Sequence, residues 1–371
     1  MTREVEIPFT IRFITPAVLK EVDHAGGCSA PPFERLLRRW WRCVEMGRSR
    51  KLGAELDSQE LGRREASFFG SLHGDPTQPS TVEIIFGETD SPILKWAEGT
   101  SKKTPALREP EEDEEVDVDR KAVDGMMRSL GLVPLDSFRS EIEKREKARE
   151  KEIEAGETLR TVIRCPEERR EEIESTLGLI HWLGAMENPY RNGLGSLDIL
   201  REDGQPWCSR SLAGLEPIEK PWTKCLDIAW PHALGTEATG DGGADRPLLW
   251  RTKRGEDDWL DCTMALDGKD PIRMILLAMR KADGTSTDGE AREDNWQRLY
   301  KSLLRFKVIE DQLDGEDEPK YYGIAYHMPH TLSSETHNAP QDGTALPTDV
   351  RQVLADFYTE MDVRMHRWTS P

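Results

Sequence analysis

The sequence predicts an α+β protein whose first half is a ferredoxin-like (RRM-like) domain interrupted by a large insertion. Three observations carry that expectation. Glu4 to Thr15 alternates, with Val5, Ile7, Phe9, Ile11 and Phe13 at odd positions and mostly polar residues between them, the period of a half-buried strand. Pro31 to Gly47 is an amphipathic helix with two opposed arcs. Beyond it come strands at Thr81 to Phe86 and Thr158 to Cys165, a helix at Glu167 to Leu183 and a strand at Leu197 to Leu200, completing the order β-α-β-β-α-β.

Each element has a local reason. Ile14-Thr15-Pro16 stops the first strand, because proline has no amide to give the ladder. Ser29 offers an N-cap to the helix, Pro31 and Pro32 suit its first turn, and Gly47 suits the residue just past its end. At about 100° per residue, Phe33, Leu37, Trp40, Trp41 and Val44 share one arc, while Arg35, Arg38, Arg39 and Arg42 fill the other. The apolar arc needs a core, which favours packing over base stacking for the two tryptophans. On the far arc the guanidinium forks suit bidentate contact with phosphate; a solvated charged face is the alternative. Leu52 to Gly74 reads as loop with a helical turn. Pro166 closes the third strand, and Ile173, Leu177, Ile180 and Leu183 form the stripe of the second helix.

These elements divide the chain into a first domain at 1–96 and 158–200, an insertion at 97–157 and a second α+β domain at 201–371. In the insertion, Glu109 to Asp119 holds eight acidic residues and no basic one, so it should be solvated or disordered. Ser137 to Ala155 reads as a helix supported by Glu141–Arg145 and Glu143–Lys147, suited to contact with a neighbouring protein or to service as a spacer. In the second half, Leu226 to Trp230 and Tyr321 to His327 read as strands. Asp257 to Leu266, Pro271 to Lys281, Glu293 to Lys307 and Thr348 to Arg367 read as helices.

Composition excludes several classes. The longest apolar run, Met274 to Met279, is far too short to span a bilayer, and the N-terminus carries no signal-peptide core. Six cysteines without a CxxC pair read as reduced thiols of a cytoplasmic protein. A net charge of −19 argues against indiscriminate nucleic-acid binding. The acidity is uneven, however: residues 1–70 carry 12 Lys/Arg against 10 Asp/Glu, and Glu34 to Lys51 alone has seven basic and two acidic residues. A polyanion site should therefore be local. No phosphate-binding Walker loop, dinucleotide fingerprint or GxSxG is present. His327, His330 and His337 lack the spacing of a metal site and are expected in a surface loop, so neither metal nor cofactor is expected.

Late in the first domain, Gly184 to Ser196 is a glycine-bearing loop. Without a Cβ, Gly193 and Gly195 let the main chain take positive φ and come close to a ligand, with Arg191 available for phosphate; a tight turn needed only for geometry is the alternative.

Taken in order, Phe9 to Pro16 (FTIRFITP), the loop holding Gly26 and Gly27, Leu36 to Arg42 (LLRRWWR), Glu65 with Phe69-Gly70-Ser71, and Arg191 to Ser196 (RNGLGS) resemble the RAMP superfamily of type III CRISPR systems. The closest likeness is to the first-numbered RAMP subunit of the Cmr complex. It covers residues 5–86 and 158–200 well and the remainder weakly; Asn192 stands where a second basic residue is usual. The resemblance implies a non-catalytic RNA-binding subunit that caps one end of a ribonucleoprotein. Its partners would be guide RNA, possibly target RNA, and other RAMP subunits, and residues 201–371 would form a second, degenerate RAMP-like domain. RNA would be held through Arg35, Arg38, Arg39, Arg42, Gly26, Gly27, Arg191, Gly193, Gly195 and Ser196, with sequence left to base pairing. Two other functions stay open. One is a RAMP endoribonuclease that processes precursor guide RNA with His24 as base. The other is a protein scaffold whose arginine face meets acidic neighbours.

Overall fold

Strand β1 (Glu4–Phe13) has a hydrogen-bonded neighbour on each side, and its inward residues Ile7, Phe9, Ile11 and Phe13 are all buried. In the computed structural model the residues described are 3–18, 30–54, 56–70, 80–86, 152–186, 193–226, 230–238, 245–267, 304–311, 318–330, and 354–368 without 356, 360 and 364. The protein is mixed α+β, with mostly antiparallel strand pairing.

The first sheet has the order β3-β5-β1-β6, where β3 is Glu83–Phe86, β5 is Thr158–Pro166 and β6 is Leu197–Leu200, and every neighbouring pair is antiparallel. In register, Ile11 faces Leu159 on one side and Ile199 on the other, so the inward residues of adjacent strands form continuous apolar rungs. Helices α1 (Ala30–Lys51) and α3 (Arg170–Leu183) cover this face with Phe33, Trp40, Trp41, Ile173, Leu177 and Ile180. Each fully buried aliphatic or phenyl side chain contributes about 1.5–3 kcal/mol. Both tryptophans are 1% exposed, and Trp41 Nε1 donates to Glu172 at 3.3 Å.

Three boundaries differ from the sequence expectation. Helix α1 does not end at Gly47. It passes through Gly47 to Lys51, because the main chain of Pro217 lies against that residue: a Cβ there would sit 2.1 Å from Pro217 O. Gly47 is a glycine of close approach, not of helix termination. The expected loop after α1 contains a full helix, α2 (Ser58–Phe69), whose N-cap Asp57 accepts from the Glu60 amide at 2.7 Å. Within the insertion, residues 97–151 lie outside the described residues. The end of its expected helix is instead strand β4 (Glu152–Ile153), paired with β2 (Ala17–Val18).

The second half is built on the sheet β11-β12-β10-β13, comprising Leu304–Asp311, Lys320–His327, Leu249–Arg251 and His366–Arg367. Leu304 to Lys307 was expected to close a helix; it opens β11, held along its whole length by β12. Four consecutive residues, Phe306 to Ile309, are buried, so no single apolar face is left for a helix to present. A smaller sheet joins β7 (Glu219–Pro221), β8 (Leu234–Glu237) and β9 (Arg246–Pro247), with short helix α4 (Trp222–Cys225) between β7 and β8; Leu226 caps that helix, and 227–229 of the expected strand lie outside the described residues. Helix α5 (Trp259–Asp267) packs on β12: a Cβ on Gly323 would lie 2.4 Å from Leu266 Cγ. Residues 271–281 lie outside the described ones. The described residues of 354–363 are helical. Among the described residues no helix is long and apolar enough to cross a membrane.

The halves meet where β11 runs beside β6 and the end of α3. Lys307, fully buried, donates to Ile180 O at 3.2 Å, His181 O at 2.5 Å and Leu197 O at 2.8 Å. Beside it Asp198 accepts from Arg12 at 3.1 Å and from Arg210 at 2.5 Å. Burial favours protonated Asp198, but Arg210, Lys307 and Arg12 outweigh it and hold the carboxyl well below its usual range.

Burial also pulls the Lys307 ammonium down from 10.5 to about 7, against the attraction of Asp198. Between those values the unfolded chain binds a proton that the folded one does not, so this residue makes stability rise with pH from about 7 towards 10.5. Urea melts across that range should show the rise in the wild type and a flatter profile in Lys307→Met. Parallel profiles would mean that Lys307 keeps its ordinary pKa in the folded state.

Candidate nucleic-acid interface

The charged arc of α1 does not face solvent as a whole. Helix α2 lies against it, and the two helices are joined by alternating charges. Glu65, buried on α2, takes both forks of Arg42, Nε to Oε2 at 2.5 Å and Nη2 to Oε1 at 2.8 Å. Arg38 is only 4% exposed. It donates to Glu34 Oε1 from Nη2 at 2.6 Å and reaches the last carbonyls of α2, Phe69 O at 2.6 Å and Gly70 O at 3.1 Å. Its guanidinium also lies over the Phe69 ring, 5.0 Å from the centroid. One turn on, Arg64 of α2 pairs back to buried Glu45 of α1 at 2.5 Å.

The expectation of an open face is therefore corrected for Arg38, which caps a helix C-terminus inside the protein. Arg42 is half-buried and committed to Glu65, Arg39 is half-buried and Arg35 is exposed. The partner was visible in the sequence: Glu65 and Phe69-Gly70 are the elements that receive Arg38 and Arg42.

The glycine loop is likewise built inward. Gly193 and Gly195 both have positive φ, 88° and 76°, and both are buried together with Ser196. A Cβ on Gly195 would lie 2.3 Å from Met186 O, so the requirement for glycine is met by the protein's own main chain. Ser196 Oγ donates to Gly193 O at 2.6 Å and accepts from the Val308 amide at 2.8 Å.

This turn is stitched to the end of β1. Thr15 Oγ1 donates to Gly193 O and accepts from the Ser196 amide, both at 2.9 Å, while the Gly195 amide donates to Pro16 O at 2.8 Å. Gly26, Gly27, His24 and Arg191 lie outside the described residues. Thr15-Pro16, which follow β1, and Gly193–Ser196, which precede β6, nevertheless meet at one end of the first sheet.

The opposite, open face of that sheet offers no base-stacking platform. Its outward rungs pair Glu6 and Glu83 with Arg164, then Pro8 with Val162 and Ile85, and no described residue on them is aromatic. His327 and His330 are buried, not in a surface loop. His327, on β12, shares a 2.7 Å hydrogen bond with the Tyr358 hydroxyl, and burial lowers it to about 3; His330 is 6% exposed, and His337 lies outside the described residues. Among the described residues no group of three or more His, Cys, Asp or Glu is placed to hold a metal ion.

Among solved structures, the chain is similar to Cmr1 from Pyrococcus furiosus in its apo form, at 16% identity and a TM-score of 0.44, covering 95% of this chain and 96% of that one. It is also similar to a chain in the structure of the Type III-B Cmr-beta complex bound to cognate target RNA, at 13% identity and a TM-score of 0.42, covering 88% of this chain and 94% of that one. No protein-family profile and no curated protein matches the chain.

Two variants test the inward reading of these motifs. Arg38→Ala leaves Phe69 O and Gly70 O without their donor while Glu65 keeps Arg42, and should cost about 1–3 kcal/mol in chemical denaturation. A loss below about 1 kcal/mol would return Arg38 to the surface. Gly195→Val, which forces a β-branched residue to positive φ against Met186 O, should lower the melting temperature by several degrees. A wild-type melt would show that the turn can relax.

Proposed function

We propose that this chain is a non-catalytic, RNA-binding RAMP subunit that caps one end of a type III CRISPR ribonucleoprotein. On this reading residues 1–96 and 158–200 are a ferredoxin-like domain, 97–157 an insertion and 201–371 a second RAMP-like domain. The strand order β3-β5-β1-β6 with α1 and α3 on one face is the βαββαβ arrangement, which supports the first assignment. The motif order along the chain supports the family.

The observation that carries the RNA reading is the stitching of Thr15-Pro16 to Gly193–Ser196. Thr15-Pro16, ahead of the segment holding Gly26 and Gly27, and Gly193–Ser196, just after Arg191, are about 180 residues apart and meet at one end of the sheet. In the proposal these loops, with exposed Arg35 and half-buried Arg39 of α1, contact the guide or guide–target backbone. Gly193, Gly195 and Ser196 support the loop from beneath, and Arg38 and Arg42 hold α2 against α1. Main-chain amides and guanidinium forks suit phosphate and carry no sequence preference of their own. For the non-catalytic role, His181 is buried and held down to about 3 by burial and Arg210, so it is no base for a surface-bound 2′-hydroxyl.

The test is a binding titration of a labelled single-stranded RNA at several salt concentrations, with a cleavage assay beside it. Affinity should fall as salt rises, Arg35→Ala should flatten the log–log slope by about 0.7, and no cleavage should occur with or without divalent metal. Salt-independent or absent binding would favour the scaffold reading. Cutting of a repeat-containing transcript that is lost in His24→Ala would favour the processing enzyme.

A further inference from the structure

We infer that the cavity between α1, α3 and the chain following β6 binds a nucleoside 5′-monophosphate, with the base laid on Gly178 and the phosphate held by Arg48 and Lys51. This does not depend on the RNA-binding reading above. The cavity has a volume of about 570 Å³, within the range of small-molecule sites. Its floor is one face of α3, on which Glu171, Ser175, Gly178 and Trp182 recur at helical spacing. Val44, Arg48 and Lys51 of α1 form one wall. The other wall is pinned to the main chain of α3: Trp207 Nε1 donates to Glu174 O at 3.0 Å, and Cys208 Sγ donates to Gly178 O at 3.8 Å.

Gly178 is the residue that packing does not explain. A glycine inside a helix is destabilising relative to alanine, so it needs a reason. Gly47 has one, the main chain of Pro217. Gly178 lies within α3, and a Cβ there would sit 3.6 Å from Cys208 Sγ and 3.9 Å from Trp207 Cδ1, which are ordinary contacts. The protein's own packing therefore admits alanine at this position. What a Cβ would remove is a bare strip of main chain in the cavity floor, bordered by half-buried Trp207, where a flat ring can lie against the helix.

Along α3 the cavity then presents what the rest of a nucleotide requires, in order. Exposed Ser175 stands three residues before Gly178, about 4.5 Å along the helix axis, at the level of the ribose hydroxyls. Arg48 pairs with Glu172, six residues and about 9 Å from Gly178, so its guanidinium marks the far end. Glu172 also takes Arg169 at 3.0 Å, and two guanidinium groups on one buried carboxylate leave a positive balance there. Lys51 lies one turn on from Arg48, exposed and without a carboxylate partner among the described residues. A phosphate matches this pair, one a fork and the other a point charge. Exposed Glu171 stands at the same end and limits what fits: a monophosphate held on the opposite wall is accommodated, and the added charge of a triphosphate is repelled.

The full chain is titrated by calorimetry with 5′-AMP, 5′-GMP, 5′-CMP and 5′-UMP, and with adenosine and ATP beside them. At least one monophosphate should bind saturably in the micromolar range, and more tightly than its nucleoside or triphosphate. Gly178→Ala should raise the melting temperature by about 2 °C and yet weaken the monophosphate about tenfold. Gly62→Ala, in α2 where a Cβ meets nothing within 4 Å, should match the thermal gain and leave binding as in wild type. Lys51→Ala should weaken the monophosphate about tenfold, and Glu171→Gln should narrow its advantage over ATP. Should Gly178→Ala melt early, exposed Lys51 decides. Absence of saturable monophosphate binding in wild type, or full affinity in a folded Gly178→Ala or Lys51→Ala, overturns this inference and leaves the RNA-binding reading untouched.

Discussion

A buried ammonium makes two half-proteins into one. Lys307 spends its three donors on Ile180 O, His181 O and Leu197 O, carbonyls from the end of α3 and the start of β6. Around it the charges alternate, with Asp198 between Arg12 and Arg210, and Arg12 reaching Glu310 at 2.9 Å on the far side of the seam. Removing one member leaves its partner buried and uncompensated, which is why such clusters hold a relative orientation even where they add little net stability. The placement of β11 follows from this contact.

The same logic applies on a smaller scale between α1 and α2. A row of arginines on a helix is usually read outward, toward solvent or an anion. Here two of the four point at a second helix, and the carboxylates that meet them, Glu34 and Glu65, supply the counter-charge within the protein. The division along the arc is physical: Arg38 and Arg42 lie one turn apart and meet α2, while Arg35 and Arg39 lie on the adjoining row, exposed and half-buried respectively. Family motifs in this chain describe how it packs as much as what it binds.

Much of this was legible beforehand. The alternation in β1, the tryptophan arc of α1, the stripe of α3 and the proline that ends β5 are local signals, and local signals survive into the structure. What could not be read depended on partners remote in sequence. Gly47 looks like a helix terminator until Pro217 lies against it. Leu304 to Lys307 does alternate, but over only four residues at the end of a longer helix-like stretch, and the burial of Phe306 to Ile309 between β12 and the first half depends on contacts remote in sequence. Helix α2 was signalled by Asp57 three residues before Glu60, a cap that was passed over. At the candidate site the glycines were noticed for their freedom, but the space beside Gly195 is filled by Met186 O and not by a ligand. Lys307 and Asp198 carry no sequence pattern; only the fold brings them together.

The pairing order of the first sheet has a consequence for how the chain must be made. Among the described residues β1 pairs with β5 and β6 and β3 pairs with β5, so within that set none of the four strands has a partner until residues 158–166 exist. At a synthesis rate of about 5–20 residues per second, β1 waits on the order of ten seconds for β5 after it is made. Emergence of β5 is then the step at which this protein becomes able to fold.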